Sequence, residues 1–299
     1  MYVLRFTKLS VFVGMVLLAF SIFPASGQTL SEAHIAVHRD VHADYNLFLG
    51  DRDPNSVTYF GGNYARRDVI ELILMQQALK LGGFTHPLHL VDQENYSRGL
   101  RNLLEGKILA TSNSIWYEDL AGQRDKLHIS PPLVREGEFI AGIYTSPKNQ
   151  RAQASKTLEQ LSQLRAVTSR QWKPDVTTLQ HLGISEIMYT PRWINMARMV
   201  NAGRVDLTLS QFAMTPDKEI MVDGIRLVPI EGIKIAIDGS RHWPVSKQHP
   251  LGDEFYTALV KGIEELRKAG TIERAYQECG FFHPDLAGWK LLNPTKNNH

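Results

Sequence analysis

The chain uses one piece of punctuation twice. In LLEGKILATSNSIW (residues 103–116) and again in MVNAGRVDLTLSQF (199–212), a helix-like run ends on a glycine, one basic residue follows, and a short strand begins at once. Glycine at that point lets a helix finish in the left-handed region without a Cβ penalty. A helix that turns so tightly back into a strand belongs to a layered α/β unit. Two copies in separate halves of the chain therefore predict two similar lobes, with something held between them.

The intervening sequence fits that plan. HIAVH (34–38) alternates as a strand does, and YFGGNYAR (59–66) reads as a loop. DVIELILMQQALKLGG (68–83) places Val69, Leu72, Ile73 and Gln76 at helical spacing before Gly82-Gly83 stops it. HPLHLV (86–91) predicts a strand, NYSRGLRNLLEG (95–106) a helix and KILATS (107–112) a strand. That β-α-β-α-β order favours a parallel sheet with crossover helices. EFIAGIYT (138–145) is strand-like, and the polar KNQRAQASK (148–156) reads as a linker. The layer pattern then restarts: helices over TLEQLSQL, TTLQHLG and PRWINMARMVNAG alternate with strands over RAVTS, EIMYT and RVDLTLS. GIKIAID (232–238) returns as a strand, followed by a long helix to Gly270 and a short one over TIERAYQECGF. The fold class expected is α/β, two lobes that are each a mostly parallel sheet flanked by helices. Lobe 1 takes 28–144 and 234–299 and lobe 2 takes 145–233, with hinges at Ile140–Thr145 and Ile233–Ile237. A cleft is expected between them.

The N-terminus reads as an export signal: Arg5 and Lys8, an uncharged apolar core, then Ala25 and Gly27 in a small-x-small pattern that places cleavage near Gly27. An uncleaved anchor stays open as the alternative, because the uncharged run continues to Ser31, long enough to span a bilayer. The expected location is periplasmic. The full chain has 33 Lys+Arg and 31 Asp+Glu, and removing Arg5 and Lys8 with residues 1–27 leaves the two signs balanced. Nothing global then points to nucleic acid or an anionic surface. The single Cys279 rules out an intrachain disulfide.

LRKAGTIERAYQECGF (266–281) resembles the C-terminal signature of the family 3 extracellular solute-binding proteins, which have the type 2 periplasmic binding fold. GKILATS and GRVDLTLS stand where that family has its two G-[KR]-V-D turns, and DKLHISPPL (125–133) resembles its dFSxPY segment. The resemblance covers nearly the whole mature chain in order. It implies lobes that close on a small polar solute, amino-acid-like or organic-acid-like, and hand it to an ABC-type permease or report it to a membrane receptor. The expected protein is a monomer without a cofactor. Amino-acid-binding members carry an Arg seven residues before the Ser of the dFS segment and an acid eight residues after the second-lobe Gly. Here those positions are Gln123, with Arg124 one place later, and Gln211. That departure implies a ligand without a full zwitterion, or a different set of anchors.

Loops at the C-terminal ends of parallel strands converge on the crevice of open α/β sheets. They nominate Arg39 and Asp40 after the first strand, Ser112, Asn113 and Trp116 after the third, then Thr168, Ser169 and Arg170, and finally Ser210 and Gln211. Arg124 joins them as the shifted clamp, and Tyr59, Tyr64 and Trp116 are candidate aromatic walls. Asp206 reads as structural, bonded to its own turn. His34, His38 and His42, and the pair His86 and His89, lie on or beside strands without acidic or Cys partners at metal-site spacing, so no metal site is expected. The sequence has no G-x-S-x-G, H-E-x-x-H, C-x-x-C, P-loop or G-x-G-x-x-G. An enzyme reading rests only on analogy with exported dehydratases of this fold, and would use Asp40, Glu118 or Asp119 as general acid.

Overall fold

The computed structural model describes residues 32–93 and 96–294. The leader expected over residues 1–27 lies outside the described residues. Strand β1 (Ala33–His38), helices α1 (Arg39–Leu49) and α2 (Arg67–Gly82), strand β2 (Leu88–Gln93), helix α3 (Tyr96–Leu104) and strand β3 (Ala110–Thr111) open the chain, with β1 parallel to both β2 and β3. Next come β4 (Ile115–Trp116), α4 (Tyr117–Leu120), β5 (Leu127–Ile129) and β6 (Ile140–Thr145). A second layered run follows: α5 (Gln150–Ala154), α6 (Leu158–Ser162), β7 (Ala166–Thr168), α7 (Lys173–His181), β8 (Ile187–Tyr189), α8 (Trp193–Asn201) and β9 (Leu207–Ser210). The chain closes with β10 (Ile220–Val222), β11 (Ile225–Pro229), β12 (Ile233–Ala236), β13 (Arg241–His242), β14 (Pro244–Ser246), α9 (Gly252–Lys268), α10 (Thr271–Glu278) and β15 (Lys290–Leu291).

These strands build two main sheets. The first has the order β2-β1-β3-β14-β5; the second has β10-β11-β6-β9-β7-β8, with β12 and then β15 added beside β6. Each has a parallel heart, β2-β1-β3 in one and β9-β7-β8 in the other, extended by antiparallel strands. The repeated punctuation does the same job in both. Gly106 (φ 71) and Gly203 (φ 69) sit in the left-handed region. In each case the glycine N–H donates to the carbonyl three residues back, and the next N–H reaches five residues back: Lys107 to Asn102 at 2.9 Å, Arg204 to Met199 at 3.0 Å. This is the Schellman closure that satisfies orphan carbonyls at a helix end.

Three readings are corrected. The segment after β1 is helix α1, not a loop; its apolar Val41, Tyr45 and Phe48 recur at helical spacing and are buried. The polar stretch 148–156 contains α5, started by the Asn149 side chain accepting from Ala152 N–H at 3.0 Å. Asp206 is structural, but its carboxylate accepts from the backbone of Arg165 (2.9 Å) and the amide of Asn149 (3.1 Å), not from its own turn.

Helix α2 forms where the spacing predicts it, and Val69 through Met75 are all buried, Glu71 among them. It is the central helix of its layer, covered on its far side by α9. The two helices approach so closely that a Cβ on Gly262 would lie 1.8 Å from the Ala78 carbonyl oxygen, and one on Gly82 would lie 1.9 Å from that of Ala258. Backbone cannot step aside as a flexible side chain can. Gly262→Ala is therefore expected to destabilise by about 1–3 kcal/mol, seen in a thermal melt as a loss of about 2–4 °C per kcal/mol.

Candidate binding site

A cavity of about 310 Å³ lies between the layers of the two sheets, at the small end of the range for ligand sites. Arg67, Trp116 and Arg241 line it from the first sheet's side. Trp172, Asp175, Trp193, Ser210 and Gln211 line it from the second, and Phe139, Ala141 and Ile237 lie where β6 and β12 pass between the two. Recesses of about 550 and 580 Å³ occur elsewhere, but neither gathers residues from strand ends on both sides.

The first wall is held by a buried carboxylate. Glu71, one turn after Arg67 on α2, accepts from Arg67 at 2.9 Å, from Ser114 N–H at 2.6 Å, from the Ser114 hydroxyl at 2.7 Å and from the Tyr276 hydroxyl at 3.0 Å. Ser114 in turn takes Arg241, whose Nε donates to Oγ at 3.1 Å and whose terminal nitrogen donates to the Ser114 carbonyl. The Arg241 guanidinium lies over the Trp116 ring, 4.7 Å from its centroid, and Trp116 leans on Phe139. Burial opposes the charge on Arg67, but Asp68 and Glu71 beside it outweigh burial and hold its pKa above the ordinary guanidinium value. Arg241 is in the opposite position. Burial and the neighbouring Arg67 pull it down to about 10, against Glu71 and Asp68.

The second wall is made at helix starts. Trp172 is the N-terminal flanking residue of α7, Asp175 lies in its first turn, and Trp193 opens α8. The partial positive charge of two helix N-termini thus adds to the arginines opposite. Asp175 is the one carboxylate among the residues lining the cavity. Burial pushes its pKa up to about 7, against its own backbone N–H and the pull of Arg241. Helix α7 also reaches across to the other side: Lys173 pairs with Asp119 at 3.1 Å, His181 with Asp238 at 2.6 Å, and Thr178 Oγ accepts from Asp238 N–H at 2.9 Å.

Of the residues nominated from sequence, the cavity lining takes in Trp116, Ser210 and Gln211. Ser112, Thr168 and Ser169 are buried at strand ends, where the Ser112 carbonyl accepts from the Trp243 indole at 3.0 Å and the Ser169 hydroxyl from Gln171 N–H at 3.2 Å. Arg39 and Asp40 open α1 and border a separate shallow recess; Asp40 bonds Arg66 at 2.7 Å. Asn113 borders another small hollow. Arg124 is exposed and stacks on Tyr117, Arg170 stacks on Tyr189, and Tyr64 is half exposed at φ 64. Arg67, Asp175, Trp172, Trp193 and Arg241 were not nominated. Arg67 and Asp175 follow loops at helix starts, a signal that could have found them; Arg241 sits on β13, a two-residue strand with too little periodicity to read.

No protein-family model matches the chain, and no curated protein matches it in sequence. Solved structures do. The periplasmic VFT2 domain of Bordetella pertussis BvgS matches at 11% identity over 84% of this chain and 93% of that one, with a TM-score of 0.52. A double mutant of the same domain matches at 12% identity over 82% and 92%, with a TM-score of 0.51. Substrate-binding domain 2 of Lactococcus lactis GlnP matches at 13% identity over 84% and 95%, with a TM-score of 0.49. The fold is the two-lobe α/β fold of type 2 periplasmic binding proteins, as the sequence resemblance implied.

Proposed function

We propose that this chain reversibly captures one small polar solute in the cavity between two lobes, residues 28–144 with 234–299 and residues 145–233, which close by bending at β6 and β12. The carrying observation is the composition of the walls: one buried and one largely buried guanidinium face a carboxylate and two indoles across about 310 Å³. A ligand with an anionic group would meet Arg241 and Arg67, and an amine would meet Asp175. The acid that Gln211 lacks is thus supplied from α7, and the cation that Gln123 lacks is supplied by Arg67 and Arg241 rather than by Arg124. An amino-acid-like solute fits those anchors, with its body between Trp172 and Trp193. In the periplasm, the closed form would be presented to an ABC-type permease or a membrane receptor, by shifting the open–closed population.

A thermal-shift panel of amino acids, polyamines, organic acids, nucleosides and short peptides tests this. A ligand at a hundred times its Kd adds about 2.7 kcal/mol, several degrees for a chain of this size. One zwitterionic class giving a saturable shift is the expected result, lost in Arg241→Ala. Shifts from nucleosides or polyamines alone would overturn the anchor assignment. Asp175, titrating near 7, would also suit proton transfer, so the mass of the recovered ligand decides between binding and turnover.

A further inference from the structure

We propose that the C-terminal segment Phe281–Asn293 is a strap, a third connection between the lobes that limits how far they open. This rests on the reading of two lobes moving about β6 and β12.

The segment starts in one layer and ends in the other. Phe281 packs against Tyr276 and Phe139, on the side of α10 and the cavity floor. A few residues later, Leu286 and Trp289 belong to the core around Tyr144, Met196, Val200 and Leu227, which fills the second sheet's α8 side. Trp289 meets Phe212 edge to face with ring centroids 5.4 Å apart, and His283 meets the same ring at 5.8 Å. At the segment's start, the side chain of Met214 from the second layer lies against Gly280, its sulfur 1.6 Å from where a Cβ would stand.

The strap then grips the hinge strand itself. β15 adds to β12 in parallel register, Ile233 opposite Lys290 and Lys234 opposite Leu291. Beyond it Asn293 replaces a strand residue with its side chain: Oδ1 accepts from Ala236 N–H at 2.9 Å and Nδ2 donates to the Ala236 carbonyl at 2.8 Å. Ala236 also faces Ile140 across the β6–β12 pair. Both edges of β12 are therefore occupied where it would have to bend. A further tie comes from Lys218, whose ammonium pairs with Asp285 while its carbonyl accepts from the Tyr144 hydroxyl at 2.8 Å. Lys218 has φ 58, a conformation that L side chains adopt only when their surroundings hold them there. Opening beyond the strap's reach must break the Asn293 amide pair, the Lys218–Asp285 ion pair and the Trp289 packing together, whereas hinge strands alone bend without losing their pairing.

The test needs no solute. Spin labels on cysteines at Asp125, beside α4, and at Gln180, on α7, report the distance across the α4–α7 contact in the full chain; Cys279 is buried and stays unlabelled. The double variant Asp285→Ala with Asn293→Ala removes the two polar ties without touching the core, and Trp289→Ala removes the packed anchor. The expected result is a narrow distribution in the parent that gains a longer-distance population in the double variant and shifts further in Trp289→Ala. Circular dichroism identifies any variant that has merely unfolded, in which case the double variant decides. Distributions identical to the parent's in a folded double variant would overturn the proposal. Failure of the solute panel would leave this measurement unaffected.

Discussion

Replacing Glu71 with alanine is expected to destabilise the protein by about 3–5 kcal/mol, the cost of breaking a buried, paired charge from one side. The carboxylate is fully buried and accepts from Arg67, the Ser114 N–H and hydroxyl, and Tyr276. Alanine would leave these donors unpaired in a site where water cannot replace the acceptor. It would also leave Arg67 and Arg241, already in conflict, without the anion between them. Glu71→Gln keeps the shape and one acceptor oxygen but turns donors toward donors, so an intermediate loss is expected. Tyr276→Phe removes only one bond, to a charged acceptor, and should cost about 1.5–3 kcal/mol. Urea titrations check the order through the midpoint at unchanged slope. If Glu71→Ala cost no more than a surface substitution, the site would be open to water and the arginines would not be fixed in place. Because Ser114 also holds Arg241, the same variant should weaken solute capture even where it remains folded.

The layer order was legible because both halves repeat helix, glycine, basic residue and strand, and the Schellman closures at Gly106 and Gly203 follow directly from those residues. The parallel hearts of both sheets could be read from the same pattern. The antiparallel additions could not. β13 and β14 span Arg241–His242 and Pro244–Ser246, too short for a period of two to register, and β5 is little longer. That is where the site went unread, since Arg241 comes from this stretch, with the buried core residue Trp243 beside it. The strand-end rule brings Trp116, Ser210 and Gln211 to the cavity, but it selects by chain position. It therefore nominated Arg39 and Asp40 where a helix begins immediately and carries them to the surface. Asp175 was missed for a related reason. It stands in the first turn of α7, past the strand-end loop itself, and reaches the cavity only because its helix starts there. Which side chains meet across the gap depends on packing between layers, and local periodicity carries no information about that.

The affinity for an amine-bearing solute is expected to rise with pH up to about 7 and then level off. Asp175 has its pKa raised from 3.8 to about 7, chiefly by burial, so below that value the empty site holds a neutral carboxyl. An ammonium binds the ionised form, and capture must release that proton; the apparent Kd should therefore fall by about tenfold per pH unit from about 5 to 7. Stability of the empty protein should move the other way. A carboxyl that binds its proton more tightly when folded favours the fold fully below the unfolded pKa, and that contribution is lost as pH rises through the folded value. The loss amounts to roughly 4 kcal/mol for a shift of this size. Asp175→Asn stays neutral at every pH. It should flatten both profiles, melt above the parent at pH 8 when empty, and bind the solute no better at pH 8 than at pH 5. Calorimetry in buffers of different ionisation enthalpy would count the released proton directly. A slope of the opposite sign, with affinity falling above pH 7, would mean that Asp175 donates its proton to an anionic ligand, and the solute would then be an acid without an amine.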